Sequence, residues 1–196
     1  IAYNLKLLGQ DPKILATVGK DFGPYADWLT TLGISKDHIQ VLENHYTAQA
    51  YITTDLDDNQ ITAFHPGAMS LAHENKIPEE PGIQLGLISP DGKEGMIQHA
   101  EAFHQKGIPF IFDPGQGLPM FSGEELLALV EKAHWVTLND YEAKLMQDRT
   151  GLSAEALSGR VKALIITQGG QGSRIHSEGR VIEIPPAKPV STQDPT

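Results

Sequence analysis

Two rhythms alternate along this chain. Ile1, Leu5 and Leu8 recur at helical spacing, and Gly9 stands where a left-handed residue would end the helix. Positions 13–18 (KILATV) form a short apolar run of the kind buried in a sheet, broken by the turn Gly19-Lys20-Asp21-Phe22-Gly23. Pro24 suits the first turn of a helix carrying Tyr25, Trp28, Leu29 and Leu32, with Gly33 as its stop. Positions 39–42 read as another strand. The alternation resumes with a strand at 85–89, a helix around 94–105 stopped at Gly107, and a strand at 108–113. Ser122 and Glu125 make a capping box for a helix through Lys132. A strand at 135–138 leads into a helix from Asp140. Ser153 caps a short helix ending near Gly159, and a strand follows at 163–167 (ALIIT). Strands at 173–176 and 180–184 flank the Glu178-Gly179 turn.

One stretch breaks this pattern. Positions 48–54 and 60–64 alternate apolar with polar residues and are joined by Asp57-Asp58-Asn59, which predicts an antiparallel hairpin. Short apolar strands between helices predict an α/β fold with a mostly parallel sheet covered on both faces. The hairpin then reads as a flap on that body. The sequence carries no internal repeat or low-complexity tract.

The composition narrows the partners. The chain has 196 residues, which suits one sizeable core. Its formal charge of -10 argues against nucleic acid, because phosphate backbones are bound by clustered Lys and Arg. A nucleotide stays possible, since backbone N–H groups and a metal can hold it. The absence of Cys removes disulfides and thiolate metal sites and fits a reducing cytoplasm. Apolar runs such as positions 126–130 are far below the roughly 20 residues of a membrane span, so no membrane partner is expected.

Several chemistries are excluded by motif. There is no G-x-x-x-x-G-K-[ST], no G-x-G-x-x-G after the first strand, no H-E-x-x-H and no G-x-S-x-G. The eight His residues are scattered, and His99 and His104 on one helix are five apart, off a common face. Four stretches remain. Gly9 and Gly19, continued as Gly19-x-Asp21-x-Gly23, read as element ends or as a signature. Asn139-Asp140-Tyr141-Glu142 follows a strand, and Asn139 and Glu142 put two oxygen-bearing side chains at the ligand edge of a parallel sheet. They suit a hydrated Mg²⁺, and they also suit a plain helix cap; the two roles are compatible. Thr167-Gln168-Gly169-Gly170-Gln171-Gly172 is either a loose hairpin turn or a loop whose backbone approaches a ligand. Asp194-Pro195-Thr196 reads as a tail, or as an extended approach to a further turn.

In this order the four stretches resemble the ribokinase-like (PfkB) carbohydrate and nucleoside kinase family. Ala2, Gly9 and Gly19 reproduce the end of its first signature, a small residue, six positions, Gly, nine positions, Gly. Gly19–Gly23 resembles V-G-x-D-x-x-G, and Asn139 and Glu142 match N-x-x-E. Thr167, Gly169 and Gly172 match T-x-G-x-x-G, and Asp194 and Thr196 match the D-x-T that leads into G-A-G-D. The stretch Phe64-His65-Pro66-Gly67-Ala68 resembles adenosine-kinase-like members. The resemblance covers the whole chain and identifies it as an internal part of one kinase domain, residues 1–196, with a lid hairpin at about 44–66.

The fold so implied is a three-layer α/β/α ribokinase-like architecture with a small β lid, incomplete here. The activity implied is transfer of a phosphoryl group from ATP to a primary hydroxyl of a sugar or nucleoside, with adenosine favoured by the Phe64–Ala68 stretch. Asn139, Glu142, Thr167, Gly169 and Gly172 would serve the nucleotide, the first two organising Mg²⁺ through water. Asp194 and Thr196 would help bind a monovalent cation, K⁺ in many members. Phe64, Ser89 and Asp113 are the substrate-side candidates: a lid aromatic and two strand ends. The base and anion hole of G-A-G-D are expected beyond Thr196, and the first substrate-binding residues before Ile1. Residues 1–196 are therefore expected to be the inactive middle of a larger enzyme. Family members are single chains or pair through their lids, so a monomer or a lid-mediated homodimer is expected. The competing reading is a non-catalytic sugar- or nucleotide-binding module of the same fold.

Overall fold

The computed structural model describes residues 1–56, 60–189 and 191. The expected Asp57-Asp58-Asn59 turn lies outside the described residues. The chain divides into two compact units: Ile1–Pro81 with Asp91–His99, and Gly82–Pro90 with Ala100 onward.

The first unit holds helix α1 (Ala2–Leu7), strand β1 (Ala16–Gly19), helix α2 (Gly23–Thr31), strand β2 (Ile39–Leu42) and the strands β3 (Gln49–Thr54) and β4 (Gln60–His65). Strands β1 and β2 are parallel, with Val18 opposite Val41. The expected strand at 13–18 begins three residues later, because Lys13 makes only an isolated bridge to Ser35. Pro24 sits in the first turn of α2. Gly33 follows with φ +63°, a left-handed conformation that suits glycine. Val18, Leu29, Ile34, Ala68, Ala72, Ile77 and Met96 are buried apolar residues of the unit's core. The Asn75 amide donates to Ala16 O (2.9 Å) and His38 O (2.8 Å), so one side chain ties the β1 and β2 entries together.

Strands β3 and β4 form a separate antiparallel pair, with Ala50 opposite Phe64 and Tyr51 opposite Ala63. Both faces are exposed, and Tyr51, Ile52, Ile61 and Phe64 are all more than half accessible. A 3-10 segment, Gly67–Glu74, follows β4. Periodicity gives no sign of it, because a three-residue turn leaves no apolar stripe.

The second unit is built on a six-stranded sheet in the order β10-β9-β8-β7-β6-β5. Its strands are β5 (Gly86–Ile88), β6 (Phe110–Phe112), β7 (Trp135–Asn139), β8 (Ala163–Thr167), β9 (Ser173–Ser177) and β10 (Arg180–Ile184). Strands β5 to β8 are parallel, and β9 and β10 close the far edge antiparallel. Helix α3 (Lys93–Gln105) contributes its last residues to this unit, which also holds α4 (Gly123–Lys132), α5 (Asp140–Thr150) and α6 (Ala154–Ser158). Phe110, Phe112, Phe121, Leu118, Leu126, Met146 and Leu164 are almost wholly buried. Each such large side chain stabilises the fold by about 1.5–3 kcal/mol. Strand β6 is shorter than the expected 108–113. The Ile108 N–H returns to Phe103 O (2.9 Å) in the helix end, and Pro109 has no N–H to give the ladder. A side chain at Gly86 would meet the Phe103 ring at 2.6 Å, so β5 must open on glycine. The result is an α/β fold with a mostly parallel sheet and a small antiparallel pair.

Candidate active site

Four parallel strands of the second unit end side by side, and the polar residues singled out in the sequence stand at their ends. Asn139 and Thr167 are partners on the last rung between β7 and β8. One strand over, Phe112 is opposite Val136, and Ile88 is opposite Phe112. Asp113 and Ser89 are therefore the next residues after β6 and β5. The Asp113 N–H donates to Ile88 O (2.8 Å), which extends the pairing by half a rung.

Asn139 is at once the last residue of β7 and the N-cap of α5. Its Oδ1 accepts from the Glu142 N–H (2.7 Å), and Glu142 Oε2 accepts from the Asn139 N–H (2.8 Å). This reciprocal box satisfies two otherwise orphaned donors. It also fixes both side chains, leaving the second Glu142 carboxylate oxygen outside the box. Ser122 and Glu125 build the same box on α4. What distinguishes Asn139 is topology: its strand passes directly into its helix at the sheet edge where ligands bind in such folds.

Glu142 is electrically linked to Asp113. Burial pushes the Asp113 carboxyl above the usual carboxylate range. The Glu142 charge pushes it further up, and a Gly115 N–H bond partly opposes both. A like charge nearby makes ionisation of Asp113 harder. This link was not foreseen, because Asp113 and Glu142 lie 29 positions apart and no motif joins them.

Thr167 ends β8 with its Oγ1 3.5 Å from Leu138 O. The following loop is one 3-10 turn, Gly169–Gln171, closed by Gln168 N–H to Gly172 O (2.8 Å). Strand β9 returns directly, with Thr167 opposite Ser173. The loop is thus a hairpin turn on the rung beside Asn139. Its glycines differ. Gly169 has φ +53° and open space where a side chain would be. Gly172 has φ +95°, and a Cβ there would stand 2.0 Å from Ile184 O. Gly172 thus has a packing reason of its own.

Phe64 belongs to the first unit, on exposed β4. Asp194 and Thr196 lie outside the described residues. Among the described residues no group of three His, Asp or Glu is arranged to hold a metal ion. Asn139, Glu142 and Asp113 suit a hydrated divalent cation, which needs few direct protein ligands.

The model of the pfkB family carbohydrate kinases matches residues 1–196. The chain belongs to that family. Its relatives agree in kind. A nucleoside kinase of Methanocaldococcus jannaschii is 32% identical over 198 residues, covering 100% of this chain and 65% of its own. The structure of Burkholderia thailandensis nucleoside kinase in complex with inosine is 49% identical with a TM-score of 0.95, covering 100% of this chain and 64% of that one. The crystal structure of the M. jannaschii enzyme, an archaeal member of the ribokinase family, gives a TM-score of 0.90 at 32% identity, covering 99% and 65%. This pfkB-family chain thus spans just under two thirds of the length of these relatives, and its fold is the ribokinase fold. Among the described residues of this pfkB-family chain, no helix is long and apolar enough to cross a membrane.

Proposed function

We propose that this chain is the internal part of an ATP-dependent kinase that phosphorylates a primary hydroxyl of a nucleoside, with a purine nucleoside as acceptor. The observation that carries this reading is the shared rung of Asn139 and Thr167, with the Glu142–Asp113 carboxylates beside it, in a chain of the pfkB family. Adenosine is favoured by the Phe64–Ala68 stretch. The B. thailandensis relative was solved with inosine and with ADP–inosine, so inosine stands beside adenosine as a first acceptor to test.

In this reading the Thr167–Gly172 turn offers backbone N–H groups to the nucleotide phosphates. The free oxygen of Glu142, with Asp113, holds the water shell of Mg²⁺, while Asn139 keeps Glu142 in place through the capping box. The cation neutralises charge on the transferring phosphoryl group. Phe64 and Ser89 serve the acceptor side, and Asp194 and Thr196 a monovalent cation, K⁺. Catalysis of this kind rests on positioning and charge stabilisation rather than on covalent chemistry.

The β3–β4 pair serves as the lid. A two-stranded sheet open on both faces is marginal alone, which supports a covering partner, either bound acceptor or the lid of a second copy. The absence of Cys supports a cytoplasmic setting.

The test is a coupled ATP-consumption assay with adenosine, inosine and ribose, run on the intact protein and on residues 1–196. Turnover with a nucleoside by the intact protein and none by residues 1–196 is expected. Tight binding without turnover by the intact protein would favour the non-catalytic module instead.

A further inference from the structure

The two ends of the β3–β4 hairpin are fastened to one place, the C-terminal end of β1. On the incoming side, Asp21 Oδ1 accepts from both the Thr47 N–H (2.8 Å) and the Thr47 hydroxyl (2.8 Å). Asp21 Oδ2 accepts from the Gln49 amide at 3.5 Å. The Thr47 hydroxyl in turn accepts from the Gly19 N–H (3.0 Å), and Lys20 N–H donates to His45 O (3.0 Å). On the outgoing side, the Ala68 N–H donates to Tyr46 O (2.9 Å), and the buried Thr17 hydroxyl donates to Ala68 O (2.8 Å). The packing is too tight for side chains. A Cβ on Gly19 would meet the Tyr46 and Thr47 backbone at 2.3–2.4 Å, and one on Gly67 would meet Tyr46 O at 2.2 Å.

Beyond this root every residue of β4 and all but the first of β3 are exposed. A stiff base under an exposed blade makes the base the place where the blade's direction is set. The root hydrogen bonds to Asp21 are charge-assisted, and such bonds are roughly twice as strong as neutral ones. The same donors hold the Asp21 carboxyl below its usual range.

We propose that Asp21 is the latch of the lid: by gripping Thr47 and Gln49 it fixes the angle at which β3–β4 leaves the sheet, and so positions the lid over the acceptor. That the hairpin is a lid over a nucleoside rests on the function proposed above; the latch itself does not. Asp21 is a positioning residue and touches no reacting atom in this scheme.

The experiment uses the intact protein and four forms: wild type, Asp21→Asn, Thr47→Val and Thr47→Ser. Hydrogen exchange is read over β3–β4 and, as an internal reference, over β7–β8. In Asp21→Asn and Thr47→Val, exchange in β3–β4 rises by about tenfold while β7–β8 is unchanged, as expected for loss of bonds to a charged group. Thr47→Ser, which keeps the hydroxyl, stays at the wild-type rate. In parallel, KM for the nucleoside rises about tenfold with KM for ATP unchanged. Unchanged exchange in Thr47→Val, or equal damage in Thr47→Ser and Thr47→Val, overturns the latch. Exchange rising equally in both segments, with both KM values, also overturns it, since that marks general destabilisation. If exchange behaves as expected but wild type turns over no nucleoside, the latch stands and the kinase reading falls.

Discussion

Asn139 and Thr167 face each other on the last rung that β7 and β8 share. One residue opens a helix and the other precedes a glycine turn, so the two elements start side by side. In the proposed reading, this pair is where the triphosphate would lie along the sheet edge.

The cap and the charge at Glu142 can be separated. Glu142→Gln keeps an acceptor at the third helical position, so the box survives and the melting temperature stays within about 2 °C. The charge beside Asp113 is lost, and turnover falls by about a hundredfold or more if it organises the cation. Asn139→Ala does the reverse first, costing about 1 kcal/mol of stability through the lost cap. Thermal unfolding and ATP consumption measured on both variants check this.

The two turn glycines should fail differently. Gly172→Ala drives a methyl group into Ile184 O and forces a left-handed conformation, so it destabilises by about 2 kcal/mol or more. Gly169→Ala meets open space and carries about 1 kcal/mol of conformational strain. Its larger effect is a raised KM for ATP. Denaturant unfolding and ATP titration separate the two.

Asp113 should trade stability for function. Its folded carboxyl holds its proton to higher pH than the unfolded chain does, so folding loses stability as pH rises past the ordinary value of 3.8, and the loss persists at neutral pH. Asp113→Asn removes that loss. The variant should melt higher than wild type at pH 7 and no higher at pH 3, while turnover falls. Melting curves at both pH values, with an activity assay, are the check.

His134 should make the fold acid-sensitive. Burial lowers its pKa, and the Lys162 and His104 charges lower it further. The unfolded chain then takes up a proton near the ordinary 6.5 that the folded chain refuses. Stability is complete above that pH and declines as pH falls below it. His134→Gln should narrow the difference in melting temperature between pH 7.5 and pH 5.5. An unchanged difference would assign the acid sensitivity elsewhere.

Much of this fold is written in local patterns. Strands β2 and β8 run over the expected residues, and the boxes at Ser122 and Asn139 form as their side-chain chemistry requires. The 3-10 segments Gly67–Glu74 and Gly115–Met120 escaped because a three-residue turn leaves no apolar stripe. The strand ends at Lys13 and Ile108 were misplaced because pairing partners, not propensity, set them. Asn139, Glu142 and Thr167 stand out in the sequence as candidates by their spacing, but their adjacency is a property of register. The Asp113–Glu142 link and the grip of Asp21 on Thr47 were illegible, since each joins residues that only the folded chain brings near.

Because Asn139 is both the final strand residue and the first cap, β7 has no slack at its end. Side chains alternate across a strand, so one residue inserted between Trp135 and Leu138 would invert every side chain on the inserted side of the ladder, or detach the cap from its rung. Descendants of this sequence can exchange side chains along β7 but cannot change its length.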